Sequence, residues 1–337
     1  MSVRGPDFGS KPDGWLSRTG GADRIILLLI LIIHLMLTGC GGAMHRPWVQ
    51  AGANLPARCQ LDSAPFYSQK AFQCGPAALA MALTWSGISA DPETLAPEVF
   101  TASRKGSLES AMIGSARRHG RVAYPVSGPQ TLLAEVCAGH PIIVLQNLGL
   151  WWYPVWHYAV VVGYDANEGI VILHSGVIPF KRVSIKVFEK TWARSDHWGL
   201  LVLPPARFPA TATEDAYISA VLGLEKAGQW QAAEEGYKNA LTRWPDNLAA
   251  YMGLGNSYYA VGDIESAEAA FRVATHRFPT HGSTFNNLAH VLWRRGKQQA
   301  ALDAARRAVE LGGPLVSVYR KTLEEIQASA YGQRPCR

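Results

Sequence analysis

A period of about 34 residues runs through the second half of the chain, and no other feature narrows the fold as far. Gly228, Gly262 and Gly296 fall in phase, as do Ala233, Ala267 and Ala301, and again Ala240, Ala274 and Ala308. Pro245 and Pro279 end two of the units and Gly313-Pro314 ends the third; Tyr237 and Phe271 hold a large aromatic position where the third unit has Ala305. Small residues at helix contacts and glycine at the turns describe two antiparallel helices per unit. One pair cannot bury its apolar face alone, so about three units are needed for a stable stack. Leu315 to Ala328, with polar Lys321, Glu324 and Glu325, reads as a capping helix. Tyr237, Tyr258 and Phe271 are expected in the core. Asn256, Asn286 and Asn287 have two readings, grips on a peptide backbone in the groove or a solvated polar face. Stacked helix pairs form a concave surface, so a protein or peptide partner is expected there.

The first half carries chemistry. Residues 69 to 83 place Cys74 where a loop hands over to an alanine-rich helix, with Pro76 in the first helical turn. Free N–H groups and the positive dipole end at such a site favour thiolate, and the expectation is a lowered Cys74 pKa. A thiolate needs a base. His157 opens His-Tyr-Ala-Val-Val-Val-Gly-Tyr-Asp, a β-branched run suited to a sheet buried on both faces, and Ala166 to Gly169 turns it into a second strand, Ile170 to Leu173. A lone histidine beside Trp156 and Tyr158 reads as a core imidazole; paired with Cys74 it reads as the base of Cys/His acyl transfer.

These two segments resemble the papain-like peptidase domains that trim double-glycine leaders from bacteriocins, in the stand-alone form fused to helical repeats of the tetratricopeptide pattern. The resemblance covers roughly residues 60 to 205 and rests on Cys74-Gly75-Pro76-Ala77-Ala78, with Gln69 upstream, and on His157 to Tyr164. It implies a cysteine peptidase in which Cys74 attacks the scissile carbonyl and His157 shuttles the proton. The Gln69 amide and the Cys74 N–H would hold the oxyanion. Gln69 lies one residue closer to the cysteine than the family spacing, so Gln73 is the alternative. Where the family places Asp followed by Pro, this chain reads Leu173-His174-Ser175-Gly176, which puts Ser175 at the orienting position. A serine orients an imidazole without supplying negative charge; Asp165, Glu168 and Asp196 are the candidate carboxylates to substitute, against the plainer reading that each is a solvated turn residue.

Location is written near the start. Arg24 precedes an apolar run from Ile25 to Leu37, then Leu37-Thr38-Gly39-Cys40. The run matches a signal-peptide core of about 7 to 15 residues rather than the roughly 20 of a spanning helix. Resemblance to bacterial lipoproteins implies cleavage before Cys40 and lipid on its sulfur, with Gly41 directing the protein to the outer membrane facing the periplasm; an uncleaved signal anchor is the alternative. Of the five cysteines, Cys59, Cys137 and Cys336 remain for a disulfide whose pairing the sequence leaves open. No cofactor and no metal is expected: no Cys/His group has zinc spacing, and no phosphate-binding Gly-x4-Gly-Lys-Ser/Thr loop is present, which argues against an exporter. The net charge of +6 is scattered and gives no nucleic-acid signature.

The expected layout is a signal peptide (1–40), a tether (41–59), an α+β papain-like cysteine peptidase domain (60–205), a proline-stiffened linker (206–214) and an all-α tetratricopeptide solenoid with its cap (215–330). Within the first domain Asp91 to Lys105 reads as a loop, and Leu108 to His119 and Gln130 to Ala138 as helices. Pro141 to Gln146 reads as the first long strand and Gly199 to Leu203 as the last. Leu150 to Trp156 reads as a cleft wall or a membrane contact, or else as a clamp on the sheet edge; His197 reads as structural. The functional expectation is a lipid-anchored peptidase acting on a peptide or protein. The alternatives are a weakly active or inactive peptidase-fold scaffold working through its repeats, and acyl transfer such as amide ligation on the same Cys/His pair.

Overall fold

The computed structural model describes residues 48, 54–70 and 72–330. The apolar run of 25–37, Cys40 and Cys336 lie outside them. In chain order the first domain contains β1 (Arg58–Gln60), α1 (Cys74–Trp85), α2 (Pro92–Val99), β2 (Phe100–Thr101), β3 (Gly106–Ser107) and α3 (Glu109–Arg118). It continues with β4 (Val122–Ser127), α4 (Pro129–Cys137), β5 (Ile142–Asn147), β6 (Trp156–Asp165), β7 (Ile170–Ser175), β8 (Ile178–Ser184), α5 (Ile185–Trp192) and β9 (Trp198–Leu203).

Seven of these strands form one antiparallel sheet in the order β4-β9-β5-β6-β7-β8, with β1 pairing the far end of β6. Alternate residues go to opposite faces. Ile143, Leu145, Val160, Val162, Leu200 and Val202 meet the alanine face of α1, whereas Ile142, Val144, Ala159, Val161, Leu201 and Leu203 meet the opposite layer. The expected two-sided burial of the His157 strand is therefore present. Gly163 in β6 has a packing reason: a Cβ there would lie 2.8 Å from the Cys59 carbonyl, so any other residue would push β1 away.

Two expectations need correction, and β8 lies outside the expected strands. Pro141 to Gln146 is not the first long strand, because β4 precedes it; β4 is an edge strand, and Pro125 within it is the residue that masks the pattern. The stretch of 91–105 is not a loop throughout, since Asp91 caps α2 by accepting from the Glu93 and Thr94 amides, and β2 and β3 form a small hairpin. The strand β8 carries no alternating apolar pattern, as its side chains are mostly exposed at the other sheet edge.

Cys59 and Cys137 form a disulfide that ties β1 to the end of α4. Tyr164 seals the joint by donating from its hydroxyl to the Pro56 carbonyl at 2.7 Å. The bridge closes a sequence separation of 78 residues. Replacing both cysteines by serine is expected to lower unfolding stability by about 2–4 kcal/mol, measured by denaturant titration.

The repeats follow as α6 (Glu214–Lys226), α7 (Trp230–Arg243), α8 (Leu248–Val261), α9 (Ile264–Arg277), α10 (Gly282–Arg294) and α11 (Gln298–Leu311), with α12 (Val316–Ala330) as the cap. The in-phase glycines Gly228, Gly262 and Gly296 all have positive φ, which is why the period is marked by glycine. Tyr237 lies over Gly253 and Phe271 over Gly255, where a Cβ would meet either ring at 2.5 Å or less. The third unit replaces the ring with buried Ala305. Residues 206–214 are not a free spacer. The buried carboxylate of Glu135 on α4 accepts from the amides of Ala210 (3.0 Å) and Thr211 (2.7 Å), and from His140 Nδ1 (2.7 Å) on its own side. Burial alone would raise that carboxyl, but the His140, Thr211 and Ala210 donors outweigh it and hold it below its usual value.

Candidate active site

Cys74 is the first residue of α1. Gln73, just before it, contributes no side-chain cap, and Pro76 has no N–H to offer, so the Cys74 and Gly75 amides are the donors at the helix tip. Gly75 is required by close approach: a Cβ would sit 2.2 Å from the Ser107 hydroxyl oxygen, where the β2–β3 hairpin closes over the tip. Phe72, two residues before the cysteine, has a φ of 62° and stands exposed, a strained bend delivering the loop into the helix.

His157 lies near the start of β6, and Nε2 of its ring is 2.9 Å from the Ser175 hydroxyl at the end of β7. The main-chain amide of the adjacent residue, Tyr158, favours the ionised form of the Cys74 sulfur. Cys74, Gln69 and His157 line one cleft of about 1220 Å³, together with Ser107, Glu109 and Trp156. Helix tip and sheet thus deliver sulfur and imidazole to a common space.

Gln69 is held on both sides of its amide. Nε2 donates to the Tyr158 carbonyl at 3.1 Å, and Oε1 accepts from the Gly176 N–H at 3.0 Å. That leaves one amide hydrogen uncommitted. Gln73 is not among the residues lining the cleft, so Gln69 is the glutamine placed with the sulfur.

The carboxylate alternatives separate clearly. Asp165 is at the opposite end of β6 from His157, accepting from the Asn167 and Glu168 amides in a turn. Glu168 in the same turn pairs with Arg182. Asp196 does line the cleft, where burial and then the Asp196 charge raise the Glu109 carboxyl. The group bonded to the outer nitrogen of His157 is a hydroxyl. His197 bonds Glu189 at 2.7 Å and is structural, as expected.

The sequence reading missed His174. It is fully buried between Phe66 and Phe180; the Phe180 N–H donates to its Nδ1, which makes Nε2 the donor to the Ala64 carbonyl at 3.1 Å. A neutral tautomer is thereby fixed next to Ser175, pinning the irregular β7–β8 pairing that aims the hydroxyl. Its only sequence signal was a histidine inside an apolar strand.

The electrostatics reverse one expectation. Burial pushes the Cys74 thiol up, and the amides of Tyr158, Gly75 and Cys74 pull it back only in part. Burial, then the charge of Lys181, lowers the His157 imidazole. The resting pair is therefore a neutral thiol and a neutral imidazole in one cleft. Ser175→Asp would place a negative charge at the outer nitrogen. The His157 pKa is expected to rise by about one unit, and alkylation of Cys74 near neutral pH to accelerate roughly tenfold. Imidazole titration by NMR alongside iodoacetamide rates checks both; an unmoved His157 pKa would show that Ser175 does not control the ring.

Residues 61–197 match the Peptidase C39 like family, and residues 220–282 and 254–315 match the tetratricopeptide repeat. No curated protein matches the chain. Among solved structures, a Bacillus anthracis protein described as a C39-like peptidase is 18% identical, covering 43% of this chain and 97% of its own, at a TM-score of 0.38. A double glycine motif protease from an AMS/PCAT transporter, in complex with its leader peptide, is also 18% identical over 43% of this chain and 93% of its own, at 0.33. On the repeat side, the Yersinia enterocolitica type III secretion chaperone SycD, in complex with a peptide of the translocator YopD, is 16% identical over 34% of this chain and 93% of its own, at 0.33.

Proposed function

Because the chain joins a C39-like peptidase domain to tetratricopeptide repeats, we propose that it is a cysteine peptidase that cleaves peptide bonds through an acyl-enzyme on Cys74. The observation that carries this is the convergence of Cys74 and a hydroxyl-oriented His157 on a single cleft. In this reading His157 takes the thiol proton as sulfur attacks the scissile carbonyl, then returns it to the leaving amine. Water deacylates the thioester with His157 again as base. The Cys74 N–H and the free hydrogen of the Gln69 amide face the developing oxyanion, a contribution of about 2.7–4 kcal/mol per donor where such donors have been removed. Ser175 orients the ring. The repeats recruit a protein or peptide partner, and lipid on Cys40 holds the protein at the outer membrane, facing the periplasm.

A second reading, a scaffold lipoprotein with a peptidase fold, is favoured by one feature: the imidazole partner is Ser175, which gives no charge to an imidazolium. A peptide library bearing thiol-reactive chloroacetamide at the scissile position separates the two. The peptidase reading expects Cys74 to be modified roughly a hundredfold faster than free cysteine, with selection among sequences. Modification at the rate of free cysteine, indifferent to sequence, leaves the scaffold.

A further inference from the structure

The hairpin joining β5 to β6 holds large apolar side chains out in water. Trp151 is 85% exposed and Trp152 64%, and Tyr153 and Trp156 are also exposed. This is a built projection. Asn147 Oδ1 accepts from the Gly149 and Val155 amides at 3.0 Å each, and Arg194 donates to the Asn147 and Gly149 carbonyls from the turn after α5. Gly149 is needed there, since a Cβ would lie 2.3 Å from the Tyr153 carbonyl. Because β5 to β8 are successive antiparallel neighbours, the β7–β8 turn emerges from the same end of the sheet, and it exposes Val177 and Ile178.

The cleft lining takes in Tyr153 to Tyr158 and Gly176, but not Trp151, Trp152, Val177 or Ile178. Around the mouth, Arg104, Lys105 and Lys181 are exposed and make no ion pair among the described residues. Lys70 is tied to Glu93, and the acidic groups Glu109 and Asp196 lie in the cleft itself. Exposed tryptophans beside unpaired cations match a bilayer interface, where indole sits at the headgroup level and lysine and arginine meet anionic lipid.

We propose that the tips of the β5–β6 and β7–β8 hairpins, flanked by Arg104, Lys105 and Lys181, form a docking surface for an anionic lipid bilayer, turning the mouth of the cleft toward the headgroups. The surface uses no cysteine chemistry, so it stands or falls separately from the peptidase reading. The test is sedimentation of the mature chain, residues 40–337, carrying Cys40→Ala, so that neither the apolar run of 25–37 nor attached lipid contributes, and Cys74→Ala, so that turnover plays no part. Vesicles of phosphatidylcholine with phosphatidylglycerol are compared with phosphatidylcholine alone. The protein is expected to partition onto the anionic vesicles. Trp151→Ala with Trp152→Ala should weaken this roughly tenfold or more, and Lys105→Ala with Lys181→Ala should weaken it on anionic vesicles only. As a second measurement needing no variant at the hairpin, brominated lipid should quench part of the tryptophan fluorescence. The proposal is overturned if the protein stays in solution with both vesicle types, if the tryptophan variant binds equally well, or if the hairpin instead pairs two copies, seen as a dimer that the tryptophan variant abolishes.

Discussion

A chain ended after Pro205 is expected to yield an aggregated or molten domain rather than a folded peptidase. The repeats do not hang from the first domain; their first helix is part of its core. The helix α6 packs on β4. Tyr217, Ala220, Val221 and Leu224 are buried in one cluster with Val122, Tyr124, Leu201 and Leu203 of the sheet. Tyr217 also donates to the Pro205 carbonyl at 2.8 Å, and the Thr213 amide reaches the Tyr124 hydroxyl. Uncovering side chains of this size costs about 1.5–3 kcal/mol each, so the loss approaches the whole stability of an ordinary domain, roughly 5–15 kcal/mol. The same cut strips Ala210 and Thr211 from Glu135, leaving a buried carboxylate with His140 alone. Near-UV circular dichroism and denaturant melting provide the check. Ending the chain after Trp244 instead, which keeps α6 and α7, should restore cooperative unfolding. A domain ending at Pro205 that melts cooperatively at the full-length midpoint would show that the repeats are merely tethered.

That dependence was the part of the fold least visible in the sequence. Periodicity reports one element at a time: glycine every repeat, alanine at helix contacts and the alternation of the His157 strand each announce a local shape. What α6 packs against is a long-range fact, and the prolines of 204–209 read as a stiff spacer because proline does the same thing in a spacer and in a clamped turn. The site was more legible than its surroundings. Cys74 at a helix tip, His157 in a strand and Ser175 two strands' span later are fixed by local pattern and by family likeness, and folding brings Cys74 and His157 to one cleft with Ser175 bonded to the ring. The ionisation of Cys74 went the other way from expectation, because dipole and free amides can be read from a helix start, whereas desolvation depends on what the hairpin of 100–107 covers. His174 was missed for the same reason: its role depends on Ala64 and Phe180, neither of which is near it in a pattern that sequence displays.

Removing His157, the proposed base, gives the other large effect. In His157→Ala, hydrolysis of any peptide the protein cleaves is expected to fall roughly a thousandfold, within the range that a positioned acid–base group contributes. The reason is specific to this site. With burial holding the Cys74 thiol above its ordinary range, the sulfur is not a standing thiolate that could act without help; on the peptidase reading it becomes nucleophilic by handing its proton to His157. Because burial and Lys181 lower the imidazole, His157 stays neutral, and able to accept, below the ordinary histidine range of about 6.5. On the peptidase reading the unsubstituted protein should therefore keep its activity into mildly acidic solution and lose it as pH falls through that lowered value. In the variant, thiolate arises only by direct ionisation, so alkylation of Cys74 should climb with pH through a midpoint above about 8.5. Iodoacetamide rates across the pH range read both curves. If the two proteins gave the same profile, the imidazole and the sulfur would not be exchanging a proton, and the shared cleft would be a matter of packing.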